Sequence, residues 1–168
     1  MKREIIIERT NGAALNNSED ETRLCIWLVD DDAGCSEHLI WLLNAEPRVD
    51  CPRSFPSATS LLAALWQDTP PDAILMDVNM PAMNGIQAIR PVRNLAPATP
   101  VLMLTTFFDQ GLKQEALAAG AADFLLKRNP PAQIIAAIRA ASVRSGSPCR
   151  PPALIAQLRA YSPSPMAP

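Results

Sequence analysis

Apolar residues in this chain follow two alternating rhythms. From Arg23 onward, short unbroken apolar runs are separated by segments in which leucine, isoleucine or alanine recurs at helical spacing. Unbroken runs suit strands buried on both faces, and helical spacing suits helices that cover them, so the pattern predicts an α/β fold with a parallel sheet. The first strand is expected over Leu24–Val29 and a helix over Ser36–Asn44, with Leu39, Leu42 and Leu43 on one face and Pro47 after its end. A second strand at Arg48–Ser54 carries Pro52, which removes a ladder donor and therefore belongs at a sheet edge. Ser57 is placed to cap a helix bearing Leu61, Leu62 and Leu65, closed by Thr69-Pro70-Pro71. A third strand, Ala73–Met76, precedes a helix at Gly85–Leu95 that Pro91 should kink or shorten.

The fourth strand is expected at Val101–Leu104 and its helix at Gln110–Ala119, ended by Gly120 as a left-handed cap. Asp123–Leu126 forms the fifth strand, and Asn129-Pro130-Pro131 opens a last helix with Ile134, Ile135 and Ile138 on one face. Five such units make one flavodoxin-like, doubly wound domain with a five-stranded parallel sheet and helices on both faces. That domain is expected over residues 23–144. Residues 1–22 read as a flexible extension with a polar, acid-rich end at Asn16-Asn17-Ser18-Glu19-Asp20-Glu21. Residues 145–168, rich in proline, serine and arginine, read as a linker or tail with a short helical patch at 153–161.

With 168 residues and 48% hydrophobic content, the chain can build one well-cored domain. A net charge of −2, with fifteen Lys and Arg scattered along the sequence, leaves no electrostatic footprint for nucleic acid. Cys25, Cys35, Cys51 and Cys149 lack paired metal-site spacing and read as reduced thiols. No apolar stretch approaches a membrane span, so no membrane association is expected and the location is expected to be cytoplasmic.

Chemistry collects where the strands stop. Asp30 and Asp31 follow the first strand, Asp77 the third, Thr105 the fourth and Lys127 the fifth. In a parallel sheet all these ends lie on one edge, where ligands bind in the crevice left by the helices. Carboxylates converging there need a cation, and hard oxygen ligands of this kind suit Mg²⁺. A carboxylate can also accept a phosphoryl group once a metal and an ammonium offset the charge, and Lys127 supplies the ammonium. Asp32, third in the acidic run, reads as an incidental turn residue, and Gly85 as a residue of special backbone geometry.

Four segments in order resemble the receiver domains of two-component response regulators. They are Val29-Asp30-Asp31-Asp32, then Leu75 through Gly85, then Pro100 through Thr106, and Ala119 through Lys127. The wording around Leu104-Thr105-Thr106-Phe107 and Phe124-Leu125-Leu126-Lys127, with Pro130-Pro131 and Ala137-Ile138-Arg139 following, is similar to the NarL/LuxR-type branch. The resemblance implies a sheet order of 2-1-3-4-5 and a phosphoacceptor at Asp77. It implies Mg²⁺ held by Asp31 and Asp77, with Asp30 nearby acting through water and Asn79 lending its backbone carbonyl. Lys127, Thr105 and Thr106 would border the phosphoryl group, and Thr105 with Phe124 would form the switch. A sensor histidine kinase is the implied phosphodonor, and a homodimer through the fourth helix, fifth strand and fifth helix the implied response. Members of this branch usually act on DNA through a helix-turn-helix output domain; none is expected within this chain, which would be either a natural single-domain receiver or a fragment, and transcriptional control would run through such a domain.

Two other readings use some of the same residues. A phosphatase of the haloacid-dehalogenase type also needs an aspartyl phosphate, Mg²⁺, a threonine and a lysine, and Asp30-Asp31-Asp32 offers its first-strand Asp-x-Asp. Gly34 stands where that motif expects Thr or Val, and no later acidic pair supplies the metal. A phosphorylation-independent interaction module is the third reading, although such modules commonly lose a site residue and none is lost here.

Overall fold

The architecture follows from five runs that can be buried on both sides. In the computed structural model, which describes residues 23–145, they form β1 (Leu24–Val29), β2 (Val49–Phe55), β3 (Ala73–Asp77), β4 (Val101–Thr105) and β5 (Asp123–Leu126). Between and after them run α1 (Ala33–Asn44), α2 (Ala58–Gln67), α3 (Gly85–Leu95), α4 (Gln110–Ala119) and α5 (Pro131–Ser145). All pairings are parallel and the sheet order is β2-β1-β3-β4-β5. The extension expected at 1–22 and the helical patch expected at 153–161 lie outside the described residues, and α5 runs through Ser145, the last of them.

Side-chain alternation along the central strands fills two apolar layers. Trp27, Val29, Ile74, Met76, Val101 and Met103 face one layer, which α2, α3 and α4 close with Leu61, Leu65, Ile89, Val92 and Ala116. Ile26, Leu28, Leu75, Leu102 and Leu104 face the other, closed by Leu39 and Leu43 of α1 and by Ile134 and Ile138 of α5. Burying each such side chain is worth roughly 1.5–3 kcal/mol, which sets these layers as the main stabilising term. Leu42 was expected on the core face of α1 but is only half-buried, because 3.6-residue periodicity turns it toward the flank of the helix.

Helix boundaries are set by side chains that satisfy end groups. Ser57 accepts from the Ser60 N–H, Asp109 from the Leu112 N–H, and Asn84 with Gln87 forms a reciprocal capping box on α3. Gly120, at φ 105°, ends α4 in the left-handed conformation and hands its N–H to carbonyls of the last turn. Helix α1 begins three residues earlier than its apolar pattern suggests, at Ala33, because Asp32 is its N-cap and accepts from the Cys35 N–H at 3.0 Å. Asp32 is therefore a structural residue rather than an incidental one, with a cap worth about 1 kcal/mol.

Both unusual prolines are accommodated. Pro52 lies in the edge strand β2, where the register against β1 slips between Cys25↔Asp50 and Trp27↔Arg53, an irregularity that absorbs one extra β2 residue at the proline. Pro91 does not shorten α3, which runs on to Leu95. The lost donor would cost about 3 kcal/mol in a free helix, and it is offset by the capping box and by the buried face of Ile86, Ala88, Ile89 and Val92.

Cys25, Cys35 and Cys51 are free thiols. Burial pushes the Cys51 thiol up from an ordinary 9.0 to about 12, with Cys25 and Asp50 adding to the shift. In the unfolded chain the thiol ionises near 9.0 while in the folded chain it stays protonated, so stability falls as pH rises above the unfolded value. Urea unfolding should show a loss of about 1 kcal/mol between pH 8 and pH 10 that Cys51→Ala removes, on top of that variant's pH-independent packing cost.

Candidate functional site

Register brings the acidic residues together. Val29 pairs with Met76, so Asp30 leaves β1 beside Asp77 at the end of β3. Asp77 is level with Leu104, and Leu104 with Leu125, so Lys127 follows two residues beyond this line on β5. The Lys127 N–H donates to the Thr105 carbonyl at 2.8 Å, which fixes the start of the lysine's side chain at the sheet edge.

Asp30 and Asp77 are buried, 3% and 5% exposed, while Asp31 is open to solvent. Oxygens of the three carboxylates lie within 4.8 Å of one another. The Lys127 ammonium bridges the two buried acids, 2.7 Å from Asp30 Oδ2 and 3.1 Å from Asp77 Oδ2. Asp30 Oδ1 accepts from the Asp32 N–H at 3.1 Å, so the N-cap of α1 also orients this carboxylate. Asp30 Oδ2 is fully buried with the Lys127 ammonium as its ion-pair partner, which leaves lone-pair capacity on the carboxylate for a cation.

Charge at this edge is not balanced by protein alone. Three carboxylates against one ammonium leave about two negative charges, the amount one divalent cation neutralises. Burial raises the Asp77 carboxyl above the ordinary aspartate range, and the Asp30 charge adds to this. Lys127 and the Asn79 N–H pull the other way without cancelling it. Burial by itself would lower the Lys127 ammonium, yet its bonds and charge attraction to Asp30 and Asp77 leave it raised. The buried Asp30 carboxylate, the all-oxygen donor set and the residual charge fit a small hard dication.

The remaining expected site residues are distributed around this centre. Thr105 is 1% exposed, and its hydroxyl donates to the Phe107 carbonyl at 2.9 Å, within the β4–α4 loop. Thr106 is exposed and, with Lys127, Cys35 and Phe107, lines a groove of about 550 Å³ beside the acidic cluster. Phe124 is 5% exposed and packs in the same layer as Met103. Asn79 is exposed on the β3–α3 loop. His38 points to solvent and stacks on Trp41 with ring centroids 6.4 Å apart.

Gly85 belongs to the site for a reason other than backbone freedom. Its φ is ordinary, but a Cβ there would come within 2.0 Å of the Asp77 carbonyl oxygen and 2.7 Å of Met103 Cε. The Gly85 N–H donates to the Val78 carbonyl at 3.0 Å, so α3 starts pressed against the strand end that carries Asp77. In the same loop Ala82 adopts φ 67°, a left-handed conformation costing an alanine roughly 1–2 kcal/mol.

The family model of the response regulator receiver domain matches residues 26–139. The chain belongs to this family. It is 33% identical over 123 residues to the uncharacterized transcriptional regulatory protein YxjL of Bacillus subtilis (strain 168), covering 73% of this chain and 56% of that one. To the transcriptional regulatory protein LnrK of the same organism it is 42% identical over 88 residues, 52% of this chain and 39% of the relative. The chain thus spans about half or less of the length of these curated relatives. A LuxR-family two-component response regulator from Aurantimonas sp. SI85-9A1 superposes with a TM-score of 0.67 at 28% identity, covering 73% of this chain and 87% of that one. The receiver domain of the response regulator NarL from Mycobacterium tuberculosis does so with 0.61 at 25% identity, covering 75% and 98%. The sheet order expected from the sequence is the receiver order. Receiver domains are signalling domains rather than conventional enzymes, and among the described residues no helix is long and apolar enough to cross a membrane.

Two substitutions test the geometry. Lys127→Ala leaves the buried acids facing each other without their cation and should lower stability by on the order of 3 kcal/mol. Added Mg²⁺ should raise the melting temperature of that variant more than that of the unmodified receiver. Gly85→Ala should cost about 1–3 kcal/mol by overpacking and weaken Mg²⁺ binding by moving the Asp77 peptide, read by urea unfolding and by metal titration.

Proposed function

We propose that this receiver is a phosphorylation-controlled switch that takes a phosphoryl group onto Asp77 from a sensor histidine kinase and thereby regulates transcription. The observation that carries the reading is the Lys127 ammonium held between Asp30 and Asp77, where it meets any anion brought to the Asp77 carboxylate. Asp30, Asp31 and Asp77, with the Asn79 carbonyl, are the residues to hold Mg²⁺, which when bound neutralises charge on the transferred phosphoryl group.

An Asp77 oxygen attacks phosphorus and the bond from phosphorus to the donor nitrogen breaks; the donor ring carries a proton on its other nitrogen, so the departing nitrogen keeps the bonding pair as part of a neutral imidazole. Lys127 exchanges its bond to Asp77 for one to a phosphoryl oxygen, a short displacement along the same side of the pocket. Thr105 exchanges the Phe107 carbonyl for the phosphoryl group, and Thr106 leaves the approach open beside it. Withdrawal of Thr105 toward the phosphate frees space for Phe124 to follow. The bias delivered is a few kcal/mol at most, enough to shift a two-state population. The altered face of α4, β5 and α5 is the proposed site of homodimer formation, and DNA contact would come from an output domain. The proposed location is the cytoplasm, where the phosphodonor and DNA are found.

Incubation with acetyl phosphate and Mg²⁺ should add one phosphoryl group to the unmodified protein by intact mass and none to Asp77→Asn. Full labelling of Asp77→Asn would overturn the assignment, as would sustained turnover of p-nitrophenyl phosphate, which belongs to a phosphatase.

A further inference from the structure

The opposite end of the sheet carries a second polar cleft that phosphoryl transfer does not use. Here the C-terminal ends of α3, α4 and α5 meet the starts of β4 and β5 around a cavity of about 240 Å³. Arg93 in the last turn of α3 and Arg144 in the last turn of α5 line it, with Thr99, Gly120 and Ala122 between them. Arg93 lies against Gly120 so closely that a Cβ there would meet its guanidinium at 2.1 Å, and Arg144 reaches the Ala122 carbonyl at 3.5 Å. Arg90, one turn before Arg93, adds a third guanidinium on the same flank.

Among the described residues neither cleft arginine has an ion-pair partner. The nearby acids are committed elsewhere, Asp72 accepting from the Cys25 N–H and Asp123 from the Phe124 N–H, each at 2.8 Å. Helix C-termini carry only a partial negative charge, about half a unit each, so they offset part of this positive charge and leave the rest. Two guanidiniums across a cleft this size fit carboxylates, which they bind through paired N–H donors.

We propose that the cleft is a clamp for an acidic peptide segment, and that the segment is this chain's own Glu19-Asp20-Glu21. Charge is complementary, and the tether is short. Arg23 leads into β1 at this same edge, and β4 lies two strand spacings from β1, about 10 Å away. Residues two to four positions ahead of Arg23 reach about 7–14 Å in extended form, comparable to the span from β1 to the start of β4 that floors the cleft.

The test uses the full 168-residue chain and the backbone amides of Gly120 and Ala122 as NMR reporters. Glu19→Lys/Asp20→Lys/Glu21→Lys should shift both amides in the direction produced by high salt, while amides near Asp77 stay in place. N-acetyl-Glu-Asp-Glu-amide added in trans should move the reporters of that triple variant at lower concentration than those of the unmodified chain, whose cleft is already filled. Arg93→Gln/Arg144→Gln, with a melting curve to verify its fold, should abolish both responses. Reporters indifferent to the triple substitution would overturn the proposal. So would equal peptide binding by the two chains, which assigns the cleft to a partner's acidic segment, or a response to inorganic phosphate alone, which assigns it to a free anion.

Discussion

Like charge gathered at the end of a buried sheet is the constraint from which the rest of this structure follows. Asp30 and Asp77 sit almost wholly out of water, and what keeps them there is the Lys127 ammonium reaching across from β5. That single cation couples three strands that are not consecutive in sequence. A slip of one residue in β1, β3 or β5 would turn its side chain to the other face and break the bridge. The apolar layers above and below supply most of the folding energy, and they also hold the register on which the pocket depends.

Burial and charge oppose each other here, and neither prevails completely. Asp77 is pushed toward protonation by its surroundings and held back by lysine, while lysine is pushed toward losing its proton and held by two acids. The result is a pocket that is folded but not electrostatically satisfied. Part of its cost is met within the β3–α3 loop, where Gly85 clears space for the Asp77 carbonyl and Ala82 tolerates a left-handed backbone. Sites held in this way respond strongly to a small change in charge, because the protein has no other means of balancing it.

Much of this arrangement was legible in the order of residues. Unbroken runs such as Ile74-Leu75-Met76 and Val101-Leu102-Met103, short and set between helical segments, read as strands buried on both faces, whose polar ends share an edge in a parallel sheet. Pro52 marked its strand as peripheral, and Gly120 marked the end of a helix. Less legible were features set by tertiary contact. Asp32 looked like one acid too many, and its capping role depends on where α1 turns away from β1, although Asp32 followed three residues later by a helical position was a readable cap signal. Gly85 gave no hint that it is needed for clearance, because no local pattern encodes the approach of a carbonyl from a neighbouring strand. Pro91 did not shorten its helix, since a well-packed helix face outweighs a local propensity.

Open sheets have two unpaired borders, and these can recruit strands from other molecules. In this fold the borders are β2 and β5. Pro52 removes a donor from β2 and coincides with an irregular register, while β5 is only four residues long. Neither offers a straight, continuous template for backbone pairing. Edge-to-edge backbone pairing is thereby disfavoured, and the sheet keeps its five strands without recruiting a sixth.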